Sequence, residues 1–262
     1  MKNRRRIAGL HAAESAIENV SHRIISVWID PHREDGRITA IQRKLAGLGI
    51  KVQPAGRNQL DSLAENRNHQ GIVLELKLAD ELGESELRNA LADLPTQPLY
   101  LVLDHVQDPH NLGACLRTAD AAGVLGVIIT KDQSAGLTPT VAKIASGATE
   151  TVPLYRVTNL SRALGWLKEA GLWIAGAAGE AQRSLYETDL AIPLALVIGA
   201  EGKGLRRLTR ESCDFLVKIP MLGQIESLNL SVATGVLLFE AVRQRTQARG
   251  AVSRSERFEG RS

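Results

Sequence analysis

The chain has 262 residues, 44% of them hydrophobic and 3% aromatic, with a formal net charge of +3. That length fills one large domain or two modest ones; the mild basic excess permits phosphate binding without demanding it, and so few aromatics argue against a stacking platform for bases. Cys115 and Cys213 make neither a disulfide framework nor a metal cluster, and no apolar run has signal-peptide or membrane-span length, so a soluble cytoplasmic protein with no metal is expected.

In chain order, residues 1–6 are basic and are expected to fray. Ala, Glu and Ile content predicts a helix over 12–20. Alternating Ile25, Val27 and Ile29 predict a strand over 24–29. A charged turn leads to Ile38, Ile41, Leu45 and Leu48 at helical spacing, with Gly49 placed as a C-cap. Short strands at 50–53 and 72–76, and a helical turn at 58–63, complete a small α/β domain over 1–77, near the minimum size that folds alone. Residues 78–98 are polar, carry a short helix at 86–94 and close on Pro95 and Pro98, which reads as an interdomain linker.

A second domain is expected over 99–249. Residues 99–103 are apolar nearly throughout and predict a central strand. A loop at 104–111 precedes a helix over 112–122, then come a strand at 126–130, a helix at 138–145 with Pro139 in its first turn, and a short strand at 152–154. Leu160, Leu164 and Leu167 mark a helical face, and 172–175 reads as a strand. The strand 194–198 empties into Gly199-Ala-Glu-Gly-Lys-Gly204, and the strand 215–219 meets Pro220 and a loop holding Gly223. Glycines there let the backbone turn sharply and approach a ligand. The alternation predicts a parallel, Rossmann-like sheet with helices on both faces, and ligands bind at the carboxyl-end loops of such sheets. The last helix, 229–242, is apolar nearly all round: Val232, Val236 and Phe239 mark one face, Leu230, Leu237 and Leu238 the others. Such a helix is buried on every side, within the monomer or in a homodimer. Residues 250–262 hold little apolar material and read as a disordered tail.

Three stretches carry a resemblance. IGAEGKGL, IPM and SLNLSVATGV in the C-terminal part are similar to the second and third motifs of the SpoU (TrmH-like) 2′-O-ribose RNA methyltransferases of the SPOUT superfamily, and the run from Leu103 to Arg117, LDHVQDPHNLGACLR, fits the first. The motifs stand in the family's order and the likeness covers nearly the whole chain. It implies a deep C-terminal trefoil knot, which periodicity alone could never justify. It further implies S-adenosylmethionine as methyl donor, a homodimer through the C-terminal helix, and an N-terminal ribosomal-protein-like module that helps to hold RNA. The implied substrate is a guanosine ribose in the peptidyl-transferase region of 23S ribosomal RNA.

Methyl transfer to a ribose hydroxyl needs the donor carbon held in line with the oxygen, and a way to share the hydroxyl proton. By position in the motifs, Gly199, Ile219 and Leu228 would contact the donor, although plain core packing also accounts for the last two. Asn111, Arg117, Glu201, Ser227 and Asn229 are the implied catalytic set. A guanidinium deprotonates too reluctantly to be a base. Arg117 is therefore expected to clamp the target phosphate and stabilise the nascent alkoxide, with proton removal by water or by an acceptor such as Glu201. Glu201 is expected to orient Arg117, unless it is a solvated loop carboxylate, and Asp120 is another partner open to Arg117. Ser227 and Asn229 also suit helix capping. In the N-terminal domain Gly9, His11, His69, Gln70 and Gly71 match recurring positions; His11, His69 and Gln70 are expected to touch RNA, the competing reading being loop histidines bonded to backbone. A nicotinamide oxidoreductase is disfavoured because no GxGxxG follows a first strand. A non-catalytic RNA-binding assembly factor and a transfer-RNA methyltransferase stay open as alternatives.

Overall fold

The computed structural model describes residues 4–33 and 35–259, with side chains as far as residue 248. It divides into two units, Met1–Ala79 and Asp80–Ser262. In the first, strands β1 (Arg4–Ala8), β2 (Ile24–Ile29), β3 (Val52–Pro54) and β4 (Ile72–Lys77) form one sheet in the order β1-β4-β2-β3. Helices α1 (Leu10–Val20) and α2 (Gly36–Gly47) bury Ala13, Ile17, Ile41 and Leu45 against Val27, Leu74 and Leu76. Helix α3 (Arg57–Leu63) covers a smaller cluster around Leu60 and Val73.

The expected fraying of residues 1–6 is corrected from Arg4 onward, and residues 1–3 lie outside the described set. Arg4–Ala8 pairs antiparallel with β4 along its length. Arg4 and Arg6 on this edge strand both donate to Glu75 on the neighbouring strand, which lets a run of arginines sit in a ladder.

The predicted linker is also corrected. Leu82 exchanges backbone hydrogen bonds with Leu154 and Arg156, and Glu81 accepts from the Leu137 N–H and from Arg156. Leu87, on α4 (Glu84–Ala90), is fully buried in a cluster with Tyr100 and Ile128. Polar composition hid this because a few apolar residues, Leu82, Leu87, Leu91 and Leu94, meet the core, and Glu81 turns inward onto partners far off in sequence.

In the second unit seven strands run in the order β7-β6-β5-β10-β8-β11-β9, all parallel. They are β5 (Leu99–Asp104), β6 (Gly126–Thr130), β7 (Leu154–Val157), β8 (Trp173–Ala177), β9 (Arg183–Ser184), β10 (Leu194–Gly199) and β11 (Phe215–Lys218). β5 and β10 are buried at every position, as apolar runs covered on both faces must be. One face packs α5 (Pro109–Ala121), α6 (Pro139–Ile144), α7 (Ala148–Thr151) and α10 (Leu230–Glu259); the other packs α4 and α8 (Leu160–Glu169), with α9 (Arg207–Glu211) against α8. The parallel α/β sheet predicted from the alternation is thus present.

α10 differs from its expectation in two ways. Its backbone stays helical to Glu259, past residue 250 where composition marks a tail, and 260–262 lie outside the described residues. It is also not buried all round: Leu230, Leu237, Leu238 and Ala241 are buried, while Val232 and Phe239 are 52% and 49% exposed.

Candidate active site

β5 and β10 are neighbours in the sheet with Gly199 paired to Asp104, so the loops that follow them leave from one end. After β5, Asp108 caps α5 by accepting from the His110 N–H at 2.8 Å, and Pro109 occupies the first turn. This capped start fixes Asn111, which is buried, and Arg117 further along α5, which is exposed.

The loop after β10 folds back on its own base. Gly202 and Gly204 have left-handed φ values of 71° and 61°, and the Gly204 N–H donates to the Ala200 carbonyl at 2.9 Å. A Cβ on Gly199 would lie 2.1 Å from the Gly204 carbonyl carbon and oxygen. Only glycine admits that approach. The turn lifts Glu201 over the start of α10, where its Oε1 accepts from Asn229 Nδ2 at 2.5 Å and from the Leu230 N–H at 3.2 Å. Asn229 Nδ2 also donates to Asn111 Oδ1 at 3.0 Å, and Asn229 Oδ1 accepts from the N–H groups of Ser231 and Val232. Asn229 is therefore both N-cap and hub, joining three of the sequence-predicted residues from three separate motifs.

Arg117 stands apart from this hub. Its Nη1 donates to Ser146 Oγ at 3.5 Å. The expected Glu201–Arg117 pair is replaced by the bonds of Glu201 to the head of α10, and Asp120, the other partner considered, accepts from the Thr151 hydroxyl. A carboxylate over helix N–H groups is favourably placed against the helix dipole, which is why Glu201 turns there. Ser227 is exposed and lies outside the cap, and Leu228 and Ile219 are half-buried, with Ile219 packed on the core beneath. A Cβ at Gly202, Gly204 or Gly223 would meet nothing within 4 Å, so backbone in both loops faces open space. Half-buried apolar side chains beside accessible main chain suit an adenosine, whose ring needs a wall and whose edges need hydrogen bonds.

Two residues at this end of the sheet escaped the sequence reading. Asp104 is a carboxylate closing an otherwise apolar strand, 1% exposed. Its oxygens accept from the Arg206 N–H at 3.2 Å and Arg206 Nε at 2.9 Å, and His105 Nδ1 lies 2.7 Å away. Burial pushes the Asp104 carboxyl up, but hydrogen bonds from Thr209, His105 and the Arg206 backbone, with the Arg206 charge, outweigh it and hold the group below the usual range. The signal was present: a charge at the carboxyl end of a buried strand is rarely idle. His105 beside it has φ 67°, uncommon for a residue with a side chain.

In the first unit, Gln70 (φ 49°) accepts from the Leu10 N–H through Oε1 at 3.0 Å. His69 accepts from the Gly71 N–H at Nδ1 and places Nε2 3.2 Å from Asp61. Those contacts match the backbone-bonded reading of His69. His11 is different, with its side chain 86% exposed and Arg37 Nη2 3.3 Å from its Nδ1.

Among the described residues no helix is long and apolar enough to cross a membrane, and no group of three or more His, Cys, Asp or Glu is placed to hold a metal ion. Comparison with known proteins gives the family. The model of RNA 2′-O ribose methyltransferase substrate-binding domains matches residues 6–82. The 23S rRNA (guanosine-2′-O-)-methyltransferase RlmB of Shewanella oneidensis is 54% identical over 245 residues, 94% of this chain and 99% of its own. The Vibrio cholerae protein of the same name is 53% identical over 91% of this chain and 96% of its own. The crystal structure of the AdoMet-bound rRNA methyltransferase of Sinorhizobium meliloti superposes with a TM-score of 0.74 at 25% identity, over 92% of this chain and 87% of that one. With the SpoU rRNA methylase model matching residues 98–239 as well, the chain belongs to the SpoU rRNA methylase family.

Proposed function

We propose that this protein transfers a methyl group from S-adenosylmethionine to the ribose 2′-hydroxyl of a guanosine in 23S ribosomal RNA. The observation that carries it is the Asn111–Asn229–Glu201 hub at the shared carboxyl end of β5 and β10. It sits on a family fold whose high-identity relatives bear that activity in their names. When bound, S-adenosylmethionine supplies an activated methyl group. The backbone of the Gly199 and Gly223 loops would hold its edges, with Ile219 and Leu228 as apolar walls. Arg117, exposed and forked, would clamp the target phosphate and stabilise charge on the ribose oxygen. Glu201 is tied to the head of α10, so it would act by fixing Asn229 and sharing the hydroxyl proton through water; Ser227 would order the same loop. In the first unit, His11 would meet RNA directly, and His69 and Gln70 would shape the surface around it.

The finer features of the family belong to the same reading. The C-terminal segment would be knotted, a topology suggested by β10 lying between β5 and β8 while Arg245 of α10 reaches the carbonyls of Gln97, Pro98 and Ile192. The exposed Val232 and Phe239 on α10, with Leu222 and Ile225 nearby in sequence and 99% and 72% exposed, would be covered in a homodimer. The protein would work in the cytoplasm, where ribosomal RNA is made.

The test is to delete the gene and map 2′-O-methylation over 23S RNA. One guanosine should lose its methyl group and regain it on complementation with the wild-type chain but not with Asn229→Asp. An unchanged map would remove the substrate assignment. Loss of a methyl group from transfer RNA instead would place the enzyme with the TrmH/SpoU tRNA modifying enzyme of A. aeolicus, which is 32% identical over 63% of this chain.

A further inference from the structure

Asp104 lies in no part of the hub, yet it touches both ends of the loop that builds it. At one end its backbone is paired in register with Gly199. At the other its carboxylate holds Arg206 by the backbone N–H and by Nε. Between those ends run residues 200–205, the turn that carries Glu201 to Asn229. The side chain of Asp104 has no exposure to solvent. A carboxylate in such a place is costly unless it is paired and hydrogen-bonded. Here it collects donors from His105, Arg206 and Thr209, on three sides. Within the loop, the turn is closed locally by the Gly204 N–H on the Ala200 carbonyl, and Glu201 is bonded to the head of α10. Its tip is nonetheless open, with Glu201, Lys203 and Gly204 exposed, so Arg206 is where the carboxyl end of the loop is tied to β5.

We propose that Asp104 is a positioning residue for methyl transfer, closing the 199–206 loop into a fixed ring through Arg206 and so setting where Glu201 and the donor-binding backbone stand. Arg206 is the arm of this clasp: its guanidinium is half-exposed at its outer edge and anchored at Nε. Neither residue needs to touch the reacting atoms. Their effect is on the spacing between the Gly199 loop and the Asn229 hub, and spacing of this kind governs rate steeply.

This inference rests on the methyl-transfer reading, and its experiment separates the two. Donor affinity is measured calorimetrically with S-adenosylmethionine, and methyl transfer by single turnover on 23S RNA, for the full-length wild type, Asp104→Asn, Arg206→Met, Arg206→Lys and Arg207→Met. Arg207 pairs on the surface with Glu211 and serves as the charge control. The expected result is about a tenfold loss of donor affinity in Asp104→Asn and a turnover rate down by roughly a hundredfold, the scale of an ångström-sized misplacement. Arg206→Met should lose a smaller part of both, Arg206→Lys should recover some of that part, and KM for RNA should stay put. Should Asp104→Asn not fold, Arg206→Met decides, because it removes only the arm and leaves the buried carboxylate its other donors. The inference is overturned if folded variants bind donor and turn over like the wild type while only their melting temperature falls. It is equally overturned if Arg206→Met and Arg207→Met weaken RNA binding alike with donor affinity intact. A wild-type protein that neither binds the donor nor methylates RNA would instead sink the underlying reading.

Discussion

Asn111 and Asn229 stand 118 residues apart in the chain and share a 3.0 Å hydrogen bond. The bond ties the start of α5 to the start of α10, and its donor nitrogen also reaches Glu201. Asn229 thus performs two jobs with two atoms: Oδ1 caps α10, while Nδ2 gathers the hub.

The two jobs can be separated by substitution. Asn229→Asp keeps an oxygen for the cap but removes the donor and sets a second carboxylate against Glu201. The cap itself should survive, since Asp and Asn cap about equally well. Any stability lost therefore reports the repulsion of Glu201 and the unpaired Asn111 oxygen, and should be relieved as pH falls and the carboxylates protonate. Turnover should fall on the order of a hundredfold. Asn229→Ala should lose about 1 kcal/mol of stability as well, the usual worth of an N-cap. Chemical denaturation and single-turnover rates, measured on both variants, decide whether the roles divide by atom.

Arg117 poses a different question, because its long bond to Ser146 leaves the guanidinium largely free. If it clamps a phosphate through its fork, Arg117→Lys keeps the charge and loses the geometry. The expected outcome is a rate lower by at least about tenfold with unchanged donor affinity, because the fork's two parallel bonds fix the phosphate's orientation and an ammonium point charge does not. Near-normal turnover in the lysine variant would show that charge alone suffices.

How much of this site was legible beforehand depended on whether a residue's role was local. Gly199, Asn111 and Asn229 sit beside strand ends and helix starts, and the sequence marks those by glycines, prolines and caps. The buried strands β5 and β10 were equally plain as unbroken apolar runs. Asp104 was not legible, because its meaning comes from Arg206, which is far off in sequence and joins it only when β10 lies down beside β5. β1 was hidden for a related reason: three arginines look like a frayed terminus until Glu75, opposite Arg6 and diagonal to Arg4, accepts from both. The Arg117–Glu201 pairing was expected from chemistry alone. It gave way because a helix N-terminus is a competing partner for a carboxylate.

Gly199 should be the least tolerant glycine of its loop. An added Cβ would sit 2.1 Å from Gly204 main chain, which has no side-chain freedom with which to yield. Gly199→Ala should cost about 1–3 kcal/mol, as overpacking does, and abolish measurable donor binding. Gly202→Ala meets open space and bears only the left-handed φ penalty of roughly 1–2 kcal/mol. Comparing the two by thermal melts and calorimetry distinguishes collision from strain; equal loss of donor binding would show that backbone conformation, not close approach, is what the loop requires.

The Asp104 carboxyl also predicts a pH dependence. It is held below its ordinary value in the folded state. Its contribution to stability is therefore fully present above the unfolded value, about 3.9, and is lost as pH falls through the folded one. The stability difference between wild type and Asp104→Asn should be constant above about pH 5 and shrink below it. Urea midpoints taken from neutral pH into the acid range test this. A difference that held steady down to the acid transition would show that Asp104 gains nothing from its charge.

Arg245 offers the sharpest test of how α10 is held. The residue is 9% exposed, and its guanidinium donates to the carbonyls of Gln97, Pro98, Leu190 and Ile192. The first two precede β5 and the last two precede β10, so one side chain collects the entries to both central strands. A planar five-donor fork suits this task, and a lysine, with a compact point charge, cannot reach the same acceptors together. Arg245→Lys should therefore destabilise by about 1–3 kcal/mol through carbonyls left unsatisfied in the interior. Arg245→Met should cost more, having no donor at all. Neither change touches the hub, so donor affinity per folded molecule should stay at the wild-type level while hydrogen exchange at 97–99 and 190–194 accelerates. Exchange rising equally throughout the second unit would mean that the arginine stabilises the whole fold and not the two strand entries.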